Sequence, residues 1–148
     1  EVDVISGLES TLTILGHKLK DVSVIREYGP LPAVPGHGGE LNQVWTNLID
    51  NAADAVDGRG RITIKAFESA DRVVVVVADD GPGIPREAQG RVFEPFFTTK
   101  EVGAGTGLGL DVVRRVVAGH GGEVSVESKP GETRFTVRLP KNSKENGG

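Results

Sequence analysis

The chain holds no cysteine among its 148 residues, which excludes disulfides and thiolate metal sites. Methionine is absent too, even at position 1, so the sequence reads as a fragment cut from a longer chain. No apolar run approaches the length that crosses a bilayer, and no signal peptide opens the sequence. Lys and Arg form no basic run and the formal net charge is −4, a poor match to a nucleic-acid backbone. Two familiar phosphate-binding patterns are also missing: there is no G-x-x-x-x-G-K-[ST], and G-T-G-L-G lacks the spacing and βαβ setting of a dinucleotide fingerprint. No internal repeat is found. What remains is a globular composition, 37% hydrophobic and 26% charged, of a size for one compact domain and not two.

Val4, Leu8, Leu12, Leu15 and Leu19 fall at three- and four-residue spacing, so the first twenty residues read as an amphipathic helix. Val22 to Tyr28 alternates like a short strand, and the Pro- and Gly-rich stretch from Gly29 to Gly39 reads as a loop. The helical period returns from Glu40 to Val56, and Asp57-Gly58-Arg59-Gly60 stops it with a glycine in the C-terminal capping place. Ile62/Ile64/Ala66, Val124/Val126 and Phe135/Val137/Leu139 show period two against polar alternates, whereas Val73 to Ala78 is apolar throughout, as a central strand should be. Leu108 to Val117 supplies a further helix, and the tail from Lys141 is polar. One-sided strands with intervening helices predict a two-layer α/β sandwich: a mixed sheet with helices packed on a single face.

The chain is organised around Asp79 to Leu110, which reads D-D-G-P-G-I-P, then R-V-F-E-P-F-F-T-T-K, then G-A-G-T-G-L-G-L. Asp79 ends the valine strand, where a carboxylate can accept from the amine of adenine and would meet a carbonyl oxygen on guanine. Asp-Asp-Gly-Pro-Gly is equally good turn chemistry by itself. Alternate glycines opening a helix are harder to justify structurally, because each costs up to about 1 kcal/mol where order is needed. Their free N–H groups and the helix dipole suit phosphate. Asn47 and Asn51, four apart, share one side of their helix at the edge of its apolar stripe. Their amide oxygens suit Mg²⁺, although neighbouring backbone could equally satisfy them. Phe93, Phe96 and Phe97 read as anchors packing a loop onto the core. His17, His37 and His120 have no metal-ligand or nucleophile context.

In this order the pieces resemble the ATP-binding catalytic domain of bacterial sensor histidine kinases, in the GHKL superfamily. N-L-I-D-N-A-A-D-A (Asn47–Ala55) resembles the asparagine box, D-D-G-P-G-I-P the first glycine box, E-P-F-F-T-T-K the phenylalanine box and G-x-G-T-G-L-G-L the second glycine box. The segment from His120 to Pro140 resembles the last two strands of that domain. The resemblance implies that Asn51 ligates Mg²⁺ and that Asn47 lines the phosphate site. Asp79 would hold the adenine amine, with Gly81, Gly83 and Ile84 shaping that wall and Thr133 supporting the same end. Phe93 to Thr106 would form a mobile lid carrying Lys100 to the γ-phosphate. The backbone of Gly105, Thr106, Gly107, Leu108, Gly109 and Leu110 would grip the phosphates.

Two departures stand out. Many relatives carry a basic residue where this chain has Asp54, which shifts phosphate charge onto Lys100. The usual P-G-x-G-T is shortened here to Pro130-Gly131-Glu132-Thr133. Related type II topoisomerase ATPases carry a water-activating Glu where Asn47 stands, and an amide cannot be that base. The resemblance therefore implies transfer of the γ-phosphate of Mg²⁺-ATP to a histidine, with Asn47 and Lys100 as the catalytic residues. No phosphoacceptor motif is present, since His17-Lys18-Leu19-Lys20 does not match it. The implied partners are a dimerisation and phosphoacceptor domain preceding Glu1 in the parent chain and a downstream response regulator, with no nucleic acid and no direct membrane contact. The implied location is cytoplasmic. A serine kinase of the anti-sigma type and a non-catalytic nucleotide-binding regulatory module share the same boxes and stay open as alternatives.

Overall fold

The computed structural model describes residues 1–94 and 109–141. In chain order the elements are α1 (Val4–Ile14), β1 (Val22–Tyr28), α2 (Gly38–Ala55), β2 (Gly60–Ser69), β3 (Arg72–Asp79), α3 (Arg86–Gln89), α4 (Gly109–Gly119), β4 (Glu123–Lys129) and β5 (Glu132–Pro140). The strands form one five-stranded sheet in the order β1-β2-β3-β5-β4. Only the β1–β2 pair is parallel. Helices α1, α2 and α4 pack together on one face, giving the two-layer α/β arrangement expected from the one-sided strands.

The core lies between these layers. It takes Ile62, Ile64 and Ala66 from β2, Val73, Val75 and Val77 from β3, and Phe135, Val137 and Leu139 from β5. Opposite them sit Leu41, Val44, Trp45, Leu48 and Ile49 of α2. β3 is the middle strand, and its other face stays apolar as well. Val74 and Val76 are only 6% and 7% exposed there, placed between Phe67 and Lys65 of β2 and Arg138 and Thr136 of β5. Long side chains on the flanking strands can cover such positions with their aliphatic stems.

Two local readings are corrected. The first helix ends at Ile14 and not near residue 20, because Leu15 leaves helical geometry just before Gly16. The apolar spacing nevertheless runs on to Leu19, which stays buried through turns whose N–H bonds reach Leu15 and Gly16 carbonyls. The end of α2 is a Schellman closure: Gly58 N–H bonds the Ala53 carbonyl and Asp57 N–H that of Asp54, both at 3.0 Å. The first left-handed position is taken by Asp57 at φ 56°, not by the glycine. Among the described residues, no helix is long and apolar enough to cross a membrane.

Candidate functional site

The site is built where β3 runs out beside the C-terminal end of α2. Asp79 continues the inward row Val73, Val75, Val77, so its carboxylate points under the helices and is 6% exposed. One oxygen, Oδ1, accepts the N–H of Gly81 at 2.9 Å. Burial pushes this carboxyl up to about 6 from its ordinary 3.8; the Gly81 bond opposes the rise and the charge of Asp80 adds to it. Asp80 turns the other way, accepts the Arg61 N–H at 2.9 Å and lies 3.9 Å from the Arg61 guanidinium.

The glycines after Asp79 answer to packing. A Cβ on Gly81 would stand 2.7 Å from the carbonyl oxygen of Ala55 at the end of α2. One on Gly83 would stand 2.5 Å from the Lys129 carbonyl oxygen, and Gly83 also holds φ 93°. The loop thus threads between a helix end and the β4–β5 hairpin. Ile84 is gripped by both backbone groups. Its N–H donates to Ser128 Oγ at 2.7 Å, and its carbonyl accepts from Gln89 Nε2 at 2.9 Å. Gln89 Nε2 also donates to the Ser128 carbonyl at 3.1 Å.

Thr133 is 4% exposed and sits directly opposite Asp79 in the β3–β5 ladder and opposite Ser128 in the β4–β5 ladder. Its Oγ1 lies 2.7 Å from Ser128 Oγ. Paired residues of antiparallel strands share a face, so Asp79, Thr133 and Ser128 form one polar row across the inner face of the sheet. Gly81, Gly83, Ile84 and Thr133 are therefore gathered at the end of β3 around Asp79. Ser128 and Gln89, which complete the cluster, were missed.

At the other end of the site, the Asn47 amide donates from Nδ2 to the Gly109 carbonyl at 3.0 Å, which ties mid-α2 to the first turn of α4. Asn51 stands one turn further along, half-buried, between Asn47 and the Gly81 contact at Ala55. Leu110 also belongs to the first turn of α4. Lys100, Gly105, Thr106, Gly107, Leu108, Phe96 and Phe97 lie outside the described residues. Phe93 does pack as an anchor: its ring meets Phe135 edge-on at 6.1 Å, with the Arg114 guanidinium 5.7 Å from its centroid.

Two long-range ties had no sequence signal. The Lys18 ammonium reaches Asp50 at 2.5 Å and Asp54 at 2.6 Å, so a cation from beyond α1 bridges two carboxylates one turn apart on α2. His120 clamps the far ends of α2 and α4, taking the His37 N–H on Nε2 at 3.0 Å while its Nδ1 faces the Val116 carbonyl at 2.9 Å. Among the described residues, no group of three or more His, Cys, Asp or Glu side chains is placed to hold a metal ion.

This architecture is shared with known proteins. The chain superposes on a mycobacterial sensor histidine kinase, MprB, with TM-score 0.86 at 29% identity, covering 95% of this chain and 96% of that one. A nucleotide-free form of the catalytic domain of histidine kinase ThkA gives TM-score 0.86 at 30% identity, covering 95% and 93%. By sequence, the chain is 40% identical over 136 residues to the sensory histidine kinase/phosphatase NtrB of Rhodobacter capsulatus, covering 82% of this chain and 38% of that protein. It is 37% identical over an alignment of 156 positions to the sensor kinase CckA of Brucella abortus, covering 94% of this chain and 16% of that protein. It thus spans well under half the length of these curated relatives. The profile of the histidine kinase-, DNA gyrase B- and HSP90-like ATPases matches residues 36–143, from the loop before α2 to beyond the end of β5. With residues 36–143 of its 148 matched, the chain belongs to the histidine kinase-, DNA gyrase B- and HSP90-like ATPase family.

Proposed function

We propose that this domain binds Mg²⁺-ATP and transfers the γ-phosphoryl group to a histidine on a separate dimerisation and phosphoacceptor domain, as one step of two-component signalling. The observation that carries the reading is the polarity of the site. A buried carboxylate with one oxygen uncommitted to Gly81 stands beside Thr133 at one end. Two amides on α2 lead from there to the first turn of α4 at the other. A nucleotide has the same polarity, an amine-bearing base and then phosphates. In this reading Asp79 accepts from the adenine amine, Thr133 supports the same edge, and Gly81, Gly83 and Ile84 form the wall. Asn51 holds Mg²⁺, Asn47 lines the phosphates, and Lys100 with the backbone from Gly105 to Leu110 binds them. The hard amide oxygens fit that ion, which when bound supplies Lewis-acid neutralisation of the phosphate oxygens.

Asn47 supports transfer to a protein over hydrolysis, because an amide cannot take a proton from water. An imidazole nitrogen needs no such base: it forms the N–P bond as the P–O bond to ADP breaks. The chain covers 30% of full-length ShkA, whose structure is a complex with AMPPNP, and 40% of histidine kinase ThkA in its complex with the response regulator TrrA. Both likenesses support further domains in the parent chain, and the second supports a response regulator as partner. The test is incubation with γ-labelled ATP, with and without a dimeric histidine-bearing domain from the parent protein. We expect acid-labile label on that domain alone and very slow hydrolysis without it. Stable label on His17, His37 or His120, or brisk hydrolysis by this domain by itself, would contradict the assignment.

A further inference from the structure

Ser128 lies off every box, and we propose that it is a positioning residue for base recognition, one that fixes the Thr133 hydroxyl as a donor toward the nucleobase. The inference rests on the adenine end assigned above and adds a residue to it. A serine hydroxyl has one proton and two lone pairs. One lone pair of Ser128 Oγ is taken by the Ile84 N–H at 2.7 Å. Its proton then has two destinations, Thr133 Oγ1 at 2.7 Å or the Glu132 carbonyl at 3.5 Å. The first is an ordinary O–H···O distance and the second lies beyond that range. The shorter contact assigns Ser128 as the donor to Thr133, an arrangement that leaves the proton of Thr133 for another partner.

The ladder decides where that proton can serve. Thr133 and Asp79 are cross-strand neighbours on the inner face, where side chains stand about 4.5–5.5 Å apart at Cβ. The pair presents an acceptor beside a donor. Adenine presents the complement, an N6 amine donor beside the N1 acceptor, met directly or across one water. Guanine and hypoxanthine reverse both signs, with O6 accepting and N1–H donating. The polarity of Thr133 thus reinforces the choice made by Asp79, and Ser128 sets that polarity. Gln89 holds the same loop through the Ile84 and Ser128 carbonyls and makes no bond to Thr133. It separates the two roles that Ser128 could have.

The experiment compares ADP with 1-deaza-ADP, which keeps the amine and lacks the N1 acceptor, by calorimetry on the folded domain. Wild type should prefer ADP by about tenfold, the size of one neutral hydrogen bond. Ser128→Ala should reduce that preference to within about twofold. Ser128→Cys, with its weaker S–H donor, should fall between and serves if the alanine variant folds poorly. Gln89→Leu should weaken both ligands alike and leave the ratio intact. A Ser128→Ala protein that keeps the wild-type ratio would show that Ser128 only staples the loop. A wild-type protein that binds both ligands equally would overturn the donor role of Thr133 and leave nucleotide binding standing. Failure of wild type to bind ADP at all would remove the functional assignment and this inference with it.

Discussion

Replacing Asp79 by Asn should make the ligand-free domain more stable and the nucleotide-bound one much less favourable. The carboxylate is held ionised in a place where burial has pushed its titration from 3.8 to about 6. That displacement corresponds to about 3 kcal/mol. The folded form grips the proton more tightly than the unfolded chain does, so stability is highest below about pH 4. It declines as pH rises to about 6, and is level above. Asparagine keeps an oxygen for the Gly81 N–H and carries no charge. At pH 7.5 the variant should gain about 1–3 kcal/mol, and the decline between pH 4 and pH 6 should flatten. Binding moves the other way. With its oxygen on Gly81, the amide turns its NH₂ toward the adenine amine, donor against donor. Losing a hydrogen bond to a charged group and leaving a mismatch costs about 3 kcal/mol, or roughly a hundredfold in ADP affinity. Wild-type affinity should itself fall about tenfold from pH 7 to pH 5, as Asp79 takes up its proton. Urea unfolding across this pH range and calorimetry with ADP measure both sides. An Asn variant less stable than wild type at pH 7.5, yet binding ADP normally, would refute the argument.

Other substitutions separate packing from chemistry. Gly83→Ala should lower stability by about 2 kcal/mol or more in thermal unfolding, since it combines φ 93° with a clash against the Lys129 carbonyl. Asn51→Ala should leave ligand-free unfolding nearly unchanged while removing the Mg²⁺ dependence of ATP binding; a collapse of stability would instead mark the amide as structural. Lys100→Ala should slow transfer to the acceptor domain at least tenfold with less than threefold loss of ATP affinity, if the lysine meets charge that builds on the γ-phosphoryl group. Single-turnover labelling beside a binding titration distinguishes these outcomes.

The parts of this fold that were legible are those whose signal is local. The all-valine run of β3, the inward rows of β2 and β5, and the apolar stripe of α2 each declare themselves within a few residues. Asp79 was visible because it interrupts such a run at its end. The rest depends on partners far apart in the chain. Ser128 meets Ile84 across 44 positions and Gln89 across 39; Lys18 meets Asp50 across 32, and His37 meets His120 across 83. A serine in an alternating strand or a lysine after a helix carries no mark of these encounters. The misjudged end of α1 has the same origin. Leu19 keeps the helical spacing because the core needs an apolar group there, and the chain meets that need through turns once the helix has ended at Ile14.

The glycines of D-D-G-P-G-I-P show how closely site and scaffold coincide. By resemblance, Gly81 and Gly83 shape the wall of an adenine site. In the fold, Gly81 clears room for the end of α2 and Gly83 for the turn after β4. The two accounts are connected through the backbone. Because Gly81 can lie against the Ala55 carbonyl, its N–H turns back to Asp79 Oδ1 and holds that carboxylate under the helices. Because Gly83 can pass the Lys129 carbonyl, the next N–H, that of Ile84, reaches Ser128 and through it Thr133. A side chain at either position would move the loop first and the recognition groups with it. Loss of nucleotide binding in a glycine variant therefore carries no information about ligand contact unless the unfolding free energy is measured on the same protein. Asp79→Asn and Ser128→Ala change hydrogen-bond polarity with little change in shape, and for that reason they are the substitutions that read the chemistry of the site.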